Sequence, residues 1–214
     1  MSLLSSPRPA IEYPETDNLP MAENTLQFQW IVTIKEGLET VFASRPDVFV
    51  AGDLFWYPVE GQPEIRAAPD VMVVLGRPKG HRRSYMQWDE ENIPPQVVIE
   101  ILSPGNRPGA MTDKRKFYEQ HGVEEYYIYD PEEIELKGFM RSGEELDPIA
   151  EMNGWTSPLL GVRFDMGGPV LVIRDPDGRP FLTYQEMRIS RDAERSRAER
   201  LAAKLRAAGI DPEE

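Results

Sequence analysis

The run VVIEIL at residues 97–102 is the feature that most constrains this fold. Branched apolar residues in a stretch of this length, closed by the turn formers Ser103, Pro104 and Gly105, predict a buried strand. Glu100 lies in the middle of that strand and would therefore be enclosed in the core. An isolated carboxylate in low dielectric is costly, so Glu100 must be protonated, paired with a cation or bound to a metal. The fold has to bring that partner to the strand.

Apolar periodicity elsewhere predicts an α/β or α+β core, with a mixed central sheet flanked by helices. A four-residue repeat of apolar side chains predicts an amphipathic helix over residues 22–43. The segment DKRKFYEQHG, residues 113–122, predicts a short helix that ends at its glycine. Strands are predicted at 48–58, 65–76 and 124–131, with weaker candidates near 134–140, 160–164, 169–174 and 179–184. Strands interrupted by one helix in this order are typical of a mixed sheet.

Composition divides the chain into three parts. Residues 1–20 carry several prolines and little apolar pattern, which predicts an extended or disordered arm. Residues 21–184 hold the predicted helices and strands of one domain. Residues 185–214 predict a charged C-terminal helix with alanine and leucine on one face. Two interpretations of this helix stay open: a solvated helix, or a short coiled-coil contact in a homodimer.

Composition and charge also exclude some classes of site. The absence of cysteine excludes thiolate nucleophiles, disulfides and cysteine-ligated zinc, and with only two histidines we expect any metal to have oxygen ligands. The formal net charge of −13 argues against a surface that binds nucleic acid nonspecifically, although basic residues cluster at 77–83 and 114–116. No apolar stretch approaches the roughly 18 residues of a membrane helix, and the N-terminus is too polar for a secretory signal. We therefore expect a soluble, cytoplasmic protein.

Three carboxylates interrupt or border apolar runs: Asp53, Asp70 and Glu100. Carboxylates brought together from adjacent strands repel one another, and a shared divalent cation such as Mg²⁺ relieves the repulsion. A metal site is therefore one prediction for these residues. Structural alternatives stay open: a bend at Gly52 and Asp53, a turn after Pro69 for Asp70, and an ion pair with a buried Lys or Arg for Glu100.

The helix after Glu100 supplies a candidate cation. Lys114 shares a helical face with Phe117, Tyr118 and His121 through spacings of three, four and seven residues, which predicts that it faces the strands. A cation beside the attacking water or the developing negative charge assists metal-dependent hydrolysis. Lys114 could instead lay its stem on the core and leave its ammonium in water.

The order of these motifs resembles that of a known family. Asp70 in P-D-V, Glu100 in I-E-I-L-S-P-G-N and then DKRKFYEQHGVEEYYIYDP are similar to the bacterial Uma-two family of endonucleases, within the PD-(D/E)XK nuclease superfamily. The resemblance spans residues 25–184 and implies a restriction-endonuclease-like core. The superfamily pattern has a lysine two residues after the second acid, where this chain has Leu102. The resemblance implies that Lys114, on the following helix, replaces it.

The resemblance also implies an activity and its cofactor. It implies an endonuclease that hydrolyses nucleic-acid phosphodiester bonds with Mg²⁺, or with Mn²⁺ as a substitute, and DNA is the expected substrate. Asp70 and Glu100 would be metal ligands and catalytic residues, with Asp53 as an outer ligand and the Ile101 carbonyl as a further ligand. Lys114 would orient the attacking water or stabilise charge on the phosphate.

Loops beside the predicted site carry three arginines, Arg82, Arg83 and Arg107, that could contact the substrate backbone or simply be surface charge. Two other functions stay open. One is a catalytically weak binding or assembly protein that keeps the nuclease core and works through its C-terminal helix, which the missing strand lysine and the acidic charge favour. The other is a sugar hydrolase with Glu100 as acid and Asp70 as base, which would need no metal.

Overall fold

A six-stranded mixed sheet forms the centre of the protein. The computed structural model describes residues 11–16, 24–103, 105 and 109–207 of the 214-residue chain. Its helices and strands are α1 (Thr25–Val41), β1 (Val48–Gly52), β2 (Trp56–Tyr57), β3 (Val71–Leu75), β4 (Tyr85–Met86), β5 (Val97–Ile101), α2 (Ala110–Gln120), β6 (Glu125–Asp130), β7 (Glu135–Ser142), β8 (Glu145–Pro148), β9 (Trp155–Thr156), β10 (Arg163–Asp165), β11 (Val172–Arg174) and α3 (Tyr184–Ala207). The strands of the central sheet lie in the order β1-β3-β5-β6-β7-β8.

One pair of strands in this sheet is parallel. β5 and β6 run in the same direction, whereas the pairs β1 with β3, β3 with β5, β6 with β7 and β7 with β8 are antiparallel. A parallel pair requires a crossover connection, which here is α2. The helix that carries Lys114 therefore follows, in the order of elements, the strand that carries Glu100.

Alternate residues of β5 enter two different cores. Its odd-numbered residues pack with α1 and with a separate three-stranded sheet formed by β9, β10 and β11. Val98 belongs to the other core, together with Trp56, Tyr85 and Tyr118 of α2. Because side chains alternate along a strand, Glu100 shares the face of Val98. The fold thus directs this carboxylate towards α2.

α1 covers the opposite face of the sheet. Its buried apolar residues Ile31, Ile34 and Leu38 recur at helical spacing, as the sequence predicts. The helix begins after Asn24, whose side-chain oxygen accepts a hydrogen bond from the Gln27 amide at 2.8 Å. This cap fixes the first turn of α1, which lies close to the end of β5.

The mixed α/β architecture with a C-terminal helix confirms the predicted fold class. The predicted strand at 48–58 is divided in two. Asp53 has a φ of 47°, and this left-handed backbone conformation interrupts strand pairing, so β1 ends at Gly52. The chain continues as β2, which pairs in parallel with β4 outside the main sheet.

Two other predicted strands differ from the apolar pattern. Of residues 65–76, only Val71–Leu75 form a strand of the sheet. The described residues 179–184 form no strand, and Pro180 makes only an isolated bridge with Arg174. Apolar composition alone overestimated both segments because strand bounds depend on a pairing partner.

α3 begins with a reciprocal cap. The Thr183 amide donates to Glu186 Oε2 at 2.8 Å, and the Glu186 amide donates to Thr183 Oγ1 at 3.2 Å. None of the described side chains of α3 is buried. Within the described residues, no helix combines the length and the apolar composition that a membrane span requires. The predicted division into arm, domain and terminal helix stays a prediction, and residues 1–10, 17–23, 104, 106–108 and 208–214 lie outside the described residues.

Candidate active site

Asp70 and Glu100 lie opposite each other at neighbouring strands. The antiparallel register of β3 and β5 pairs Val71 with Ile99, so Asp70, one residue before β3, is the next partner along and faces Glu100. Side chains directly opposite on one face have Cβ atoms about 5 Å apart. The Ile101 amide donates a hydrogen bond to Asp70 Oδ2 at 2.7 Å, which holds the two chain segments in this arrangement. The structure therefore brings together the two residues predicted as metal ligands.

Both carboxyl groups are removed from solvent, since Glu100 is 1% exposed and Asp70 is 9% exposed. Burial raises the pKa of Asp70 to about 8, and the charge on Glu100 acts in the same direction. The Ile101 amide and the charge on Lys114 lower this pKa, but they offset only part of the rise. Two buried carboxyl groups this close together are short of positive charge, a condition that a bound cation relieves.

Lys114 is the cation that the fold places against Glu100. Its Nζ donates to Glu100 Oε2 at 2.7 Å, and the Lys114 side chain remains 35% exposed. Burial lowers the pKa of Lys114, but the carboxylates of Glu100, Asp70 and Asp53 more than offset this effect and raise the pKa above its ordinary value. Lys114 is therefore a charged group that faces β5 and keeps contact with solvent.

Tyr118 makes a contact with Glu100 that the sequence analysis did not predict, although it placed Tyr118 on the same helical face as Lys114. It lies one turn after Lys114 on α2 and is fully buried, and its hydroxyl donates to Glu100 Oε1 at 2.5 Å. Burial, followed by the charge on Glu100, raises the pKa of Tyr118 well above its usual value, so the hydroxyl keeps its proton and acts as a donor. The four-residue spacing from Lys114 is the sequence signal that identifies this contact.

Gln27 is the second residue that sequence reasoning missed. It lies on α1, is 7% exposed, and its Nε2 donates to the Ile101 carbonyl oxygen at 2.9 Å. The carbonyl predicted as a further metal ligand therefore already accepts a hydrogen bond from α1. A polar residue on the same helical stripe as Ile31, Ile34 and Leu38 is the signal that marks Gln27.

Asp53 lies at the rim of the site. Its side chain is exposed, and its backbone amide donates to the Pro69 carbonyl at 3.1 Å and to the Asp70 carbonyl at 3.3 Å. The Asp53 carboxylate is close enough to raise the pKa of Lys114. The left-handed turn at Asp53 thus brings a third carboxylate towards the pair, and its role as an outer ligand stays a prediction.

The predicted substrate arginines differ in their surroundings. Arg82 is held by Glu90 at 2.6 Å and lies over the Phe49 ring at 4.0 Å, with a side chain only 12% exposed. Arg83 is 75% exposed and pairs with Glu15 at 2.6 Å. Arg107 lies outside the described residues. Contact with substrate stays a prediction for all three, but of the two described arginines only Arg83 presents an exposed guanidinium.

The carboxylates of this site fit a cation that takes oxygen ligands and receives only a few of them from the protein. Within the described residues, no group of three or more His, Asp or Glu side chains has an arrangement that could hold a metal by itself. Mg²⁺ is typically held by one or two carboxylates, with waters and substrate phosphate oxygens as its remaining ligands. Asp70 and Glu100 supply two carboxylates, and among the described residues the Lys114 ammonium lies beside them. These residues therefore suit Mg²⁺ rather than a fully protein-enclosed metal.

Comparison with known proteins agrees with the motif resemblance. Residues 27–167 match the model of the Uma2 family, described as "Putative restriction endonuclease", and the match includes all the described site residues from Gln27 to Tyr118. The resemblance to this family is thereby confirmed. The chain is also similar to a solved structure from Anabaena variabilis ATCC 29413, described as "a putative nuclease belonging to DUF820", at 15% identity and a TM-score of 0.48, over 64% of this chain and 75% of that chain. No curated protein matches the sequence.

Proposed function

The chain belongs to the Uma2 family of restriction endonuclease-like proteins, and from this premise we propose that it is a Mg²⁺-dependent endonuclease that hydrolyses phosphodiester bonds in DNA. The observation that carries the proposal is the buried pair Asp70 and Glu100 on adjacent strands, with the Lys114 ammonium 2.7 Å from Glu100. Carboxylates can hold a catalytic metal ion, and a neighbouring ammonium can donate to the charge that develops on a phosphate.

Asp70 and Glu100 would hold the metal ion. The Ile101 amide fixes one oxygen of Asp70, and Tyr118 fixes one oxygen of Glu100, so both carboxyl groups are oriented by the fold. Bound Mg²⁺ supplies Lewis-acid chemistry, which polarises a phosphate and lowers the pKa of a bound water. Ligands that are already oriented need little reorganisation when the ion binds.

Lys114 replaces the lysine that the superfamily pattern has at the position of Leu102. Its ammonium carries three donors on a flexible stem and keeps access to solvent. It can therefore donate a hydrogen bond to the attacking water or to a phosphate oxygen on which negative charge develops. Asp53 at the rim would hold water in the outer shell, and Arg83 would contact the substrate backbone.

Cleavage assays test this proposal. Supercoiled plasmid, linear duplex, single-stranded DNA and RNA are incubated with Mg²⁺, Mn²⁺ or EDTA. We expect metal-dependent cutting of DNA that Glu100→Ala abolishes. We expect Lys114→Ala to reduce the cleavage rate by about 100- to 1,000-fold, as for loss of one donor to developing charge. Lys116→Ala, on an exposed position of α2, is the matched control and should cut normally.

The possible results separate the proposal from its alternatives. Cutting that persists in EDTA would contradict metal dependence, and exclusive cutting of RNA would contradict the choice of DNA. If no substrate is cut, the second candidate function, a binding or assembly protein, moves ahead.

That second candidate depends on α3. This helix of 24 residues buries none of its described side chains, and Tyr184, Ile189 and Leu201 are 74%, 63% and 58% exposed. We propose that α3 is the contact of a homodimer. Sedimentation velocity on the full chain tests this: the native protein should sediment as a dimer, and Leu201→Glu should sediment as a monomer. A native monomer at micromolar concentration would contradict it.

A further inference from the structure

α2 holds the Glu100 carboxylate with two side chains that differ in how firmly they are fixed. Tyr118 is fully buried, and its ring is parallel to that of Trp56 at 6.3 Å and packs edge-on to Tyr126 at 5.0 Å. Lys114 reaches the other oxygen from a side chain that is 35% exposed. The ammonium can leave Glu100 by rotating its stem into solvent, whereas the phenol can leave only if the core opens.

The ammonium lies against the carboxylate of Glu100, one of the two groups proposed as metal ligands. It lies 2.7 Å from Glu100 Oε2, and the charges of Asp70 and Asp53 act on it as well. Oxygen ligands approach Mg²⁺ to about 2.1 Å, so an ion on Oε2 and an ammonium in hydrogen-bond contact with the same lone pairs compete. Tyr118 holds Oε1, which leaves Oε2 as the oxygen that can change partner.

We propose that Lys114 is an internal counter-ion that a divalent cation displaces from Glu100 Oε2, while Tyr118 is a positioning residue that keeps Oε1 in place. This inference rests on the proposed function, because it takes Asp70 and Glu100 as the ligands. Displacement frees the ammonium only when the cation is bound, at a position on α2 close to both ligands. Metal binding and the release of the catalytic lysine are then one event.

The proposal predicts opposite effects for two residues that contact the same carboxylate. Lys114→Met removes the competing cation and leaves the site with uncompensated negative charge, so Mn²⁺ should bind about 10-fold more tightly, as expected for loss of one charge-assisted hydrogen bond. Tyr118→Phe removes the donor that orients Glu100, so Mn²⁺ should bind about 10- to 100-fold more weakly, as for other residues that orient metal ligands. A purely structural role for both residues predicts weaker binding in both variants.

The measurement is Mn²⁺ binding without nucleic acid. Free Mn²⁺ is followed by electron paramagnetic resonance during titration of the full chain at constant pH and ionic strength. Lys116→Met is the control for loss of a lysine from α2, because Lys116 is exposed. Tyr126→Phe is the control for loss of a buried hydroxyl from the same core, because the Tyr126 hydroxyl lies 3.7 Å from the Met111 sulfur and not on Glu100. Glu100→Gln measures how much Mn²⁺ binds to other acidic groups of the chain.

The results distinguish failure of the inference from failure of the proposed function. If Glu100→Gln binds Mn²⁺ as well as the native protein does, no metal site exists at Glu100 and the proposed function fails with the inference. If binding depends on Glu100 but Lys114→Met binds equally or more weakly, the inference alone is overturned. Lys114→Gln serves as the second charge-removing variant if Lys114→Met does not fold, as judged by circular dichroism. Normal binding by Tyr118→Phe would remove the positioning role.

Discussion

Gln27 donates a hydrogen bond at 2.9 Å to the carbonyl of Ile101, across 74 positions in the sequence. α1 therefore contacts the end of β5 at Ile101, while α2 contacts Glu100 on the other face. The carbonyl and the carboxylate that follow each other along β5 are each held by a different helix. This arrangement predicts that both helices contribute to the geometry of the site.

Replacing Gln27 by Leu removes the donor to the Ile101 carbonyl. Because Gln27 is buried, we expect this change to lower the free energy of unfolding by about 1–3 kcal/mol, the usual cost of losing a buried hydrogen bond. Urea denaturation followed by circular dichroism measures the change. Gln29→Leu, on an exposed position of the same helix, should change stability by less than about 0.5 kcal/mol. Equal effects of the two substitutions would contradict the importance of this hydrogen bond.

Glu125 is a second buried glutamate, 1% exposed, with a structural role. It lies opposite Val97 in the sheet register and therefore on the α1 side, away from Glu100. Its carboxylate accepts hydrogen bonds from the Tyr127 hydroxyl at 2.9 Å, the Leu159 amide at 2.8 Å and the Ser157 hydroxyl. These donors attach the loop after β9 to the main sheet.

Glu125→Gln should therefore lower stability without stopping cleavage. The amide presents N–H groups to groups that are themselves donors, and we expect a loss of about 1–3 kcal/mol in the free energy of unfolding. The cleavage rate per folded molecule should remain native. Glu100→Gln is the matched comparison and should abolish cleavage. Loss of cleavage in a folded Glu125→Gln protein would show that Glu125 acts in the reaction.

Arg82 and Arg83 should respond differently to truncation. Arg83→Ala should weaken DNA binding and reduce the slope of log affinity against log salt by about 1, as for loss of one phosphate contact. Fluorescence polarisation with a labelled duplex in EDTA measures both quantities. Arg82→Ala should instead lower the free energy of unfolding by about 1–3 kcal/mol, because it leaves Glu90 with one partner fewer. An unchanged salt slope for Arg83→Ala would remove Arg83 from the substrate contacts.

His121 predicts a pH dependence of stability. Burial lowers its pKa below the ordinary value of 6.5, and its ring packs against Phe117 at 4.5 Å and Trp56 at 6.0 Å. The folded state therefore binds this proton more weakly than the unfolded state does, so the contribution of His121 to stability is fully present above about pH 6.5 and is lost as the pH falls below it. Melting temperatures at pH 7.5 and 5.5 should differ less for His121→Gln than for the native protein. The exposed His81→Gln variant should behave like the native protein, and an unchanged difference in His121→Gln would contradict the prediction.

Local sequence patterns were sufficient to predict several of the helices and strands of this protein. The apolar run around Glu100 predicts a buried strand, and the four-residue repeat predicts α1. The spacing of Lys114 along its helix predicts the orientation that the structure has. Each of these conclusions depends on residues within one or two turns or within one strand, where backbone geometry alone determines which side chains share a face. The motif order likewise identified the family.

The partners of Glu125 required the tertiary structure. The helix that follows β5 offers Lys114 as a partner for Glu100, but nothing local indicates that Glu125, at the start of another apolar strand, meets Ser157 and Leu159. Likewise, adjacent Arg82 and Arg83 look equivalent until Glu90 and Phe49 enclose one of them. Which groups lie on either side of a sheet depends on the order and pairing of its strands.

The sequence by itself determined the strand that buries Glu100, the helical face that carries Lys114, and the family to which these motifs belong. Only the tertiary structure decided that Asp70 faces Glu100, that Tyr118 and Lys114 divide its two oxygens, and that Gln27 reaches Ile101. The physical reason is that periodicity acts over neighbouring residues, whereas these contacts join segments 14 to 74 positions apart. Strand register and helix packing, which depend on the whole chain, determine such contacts.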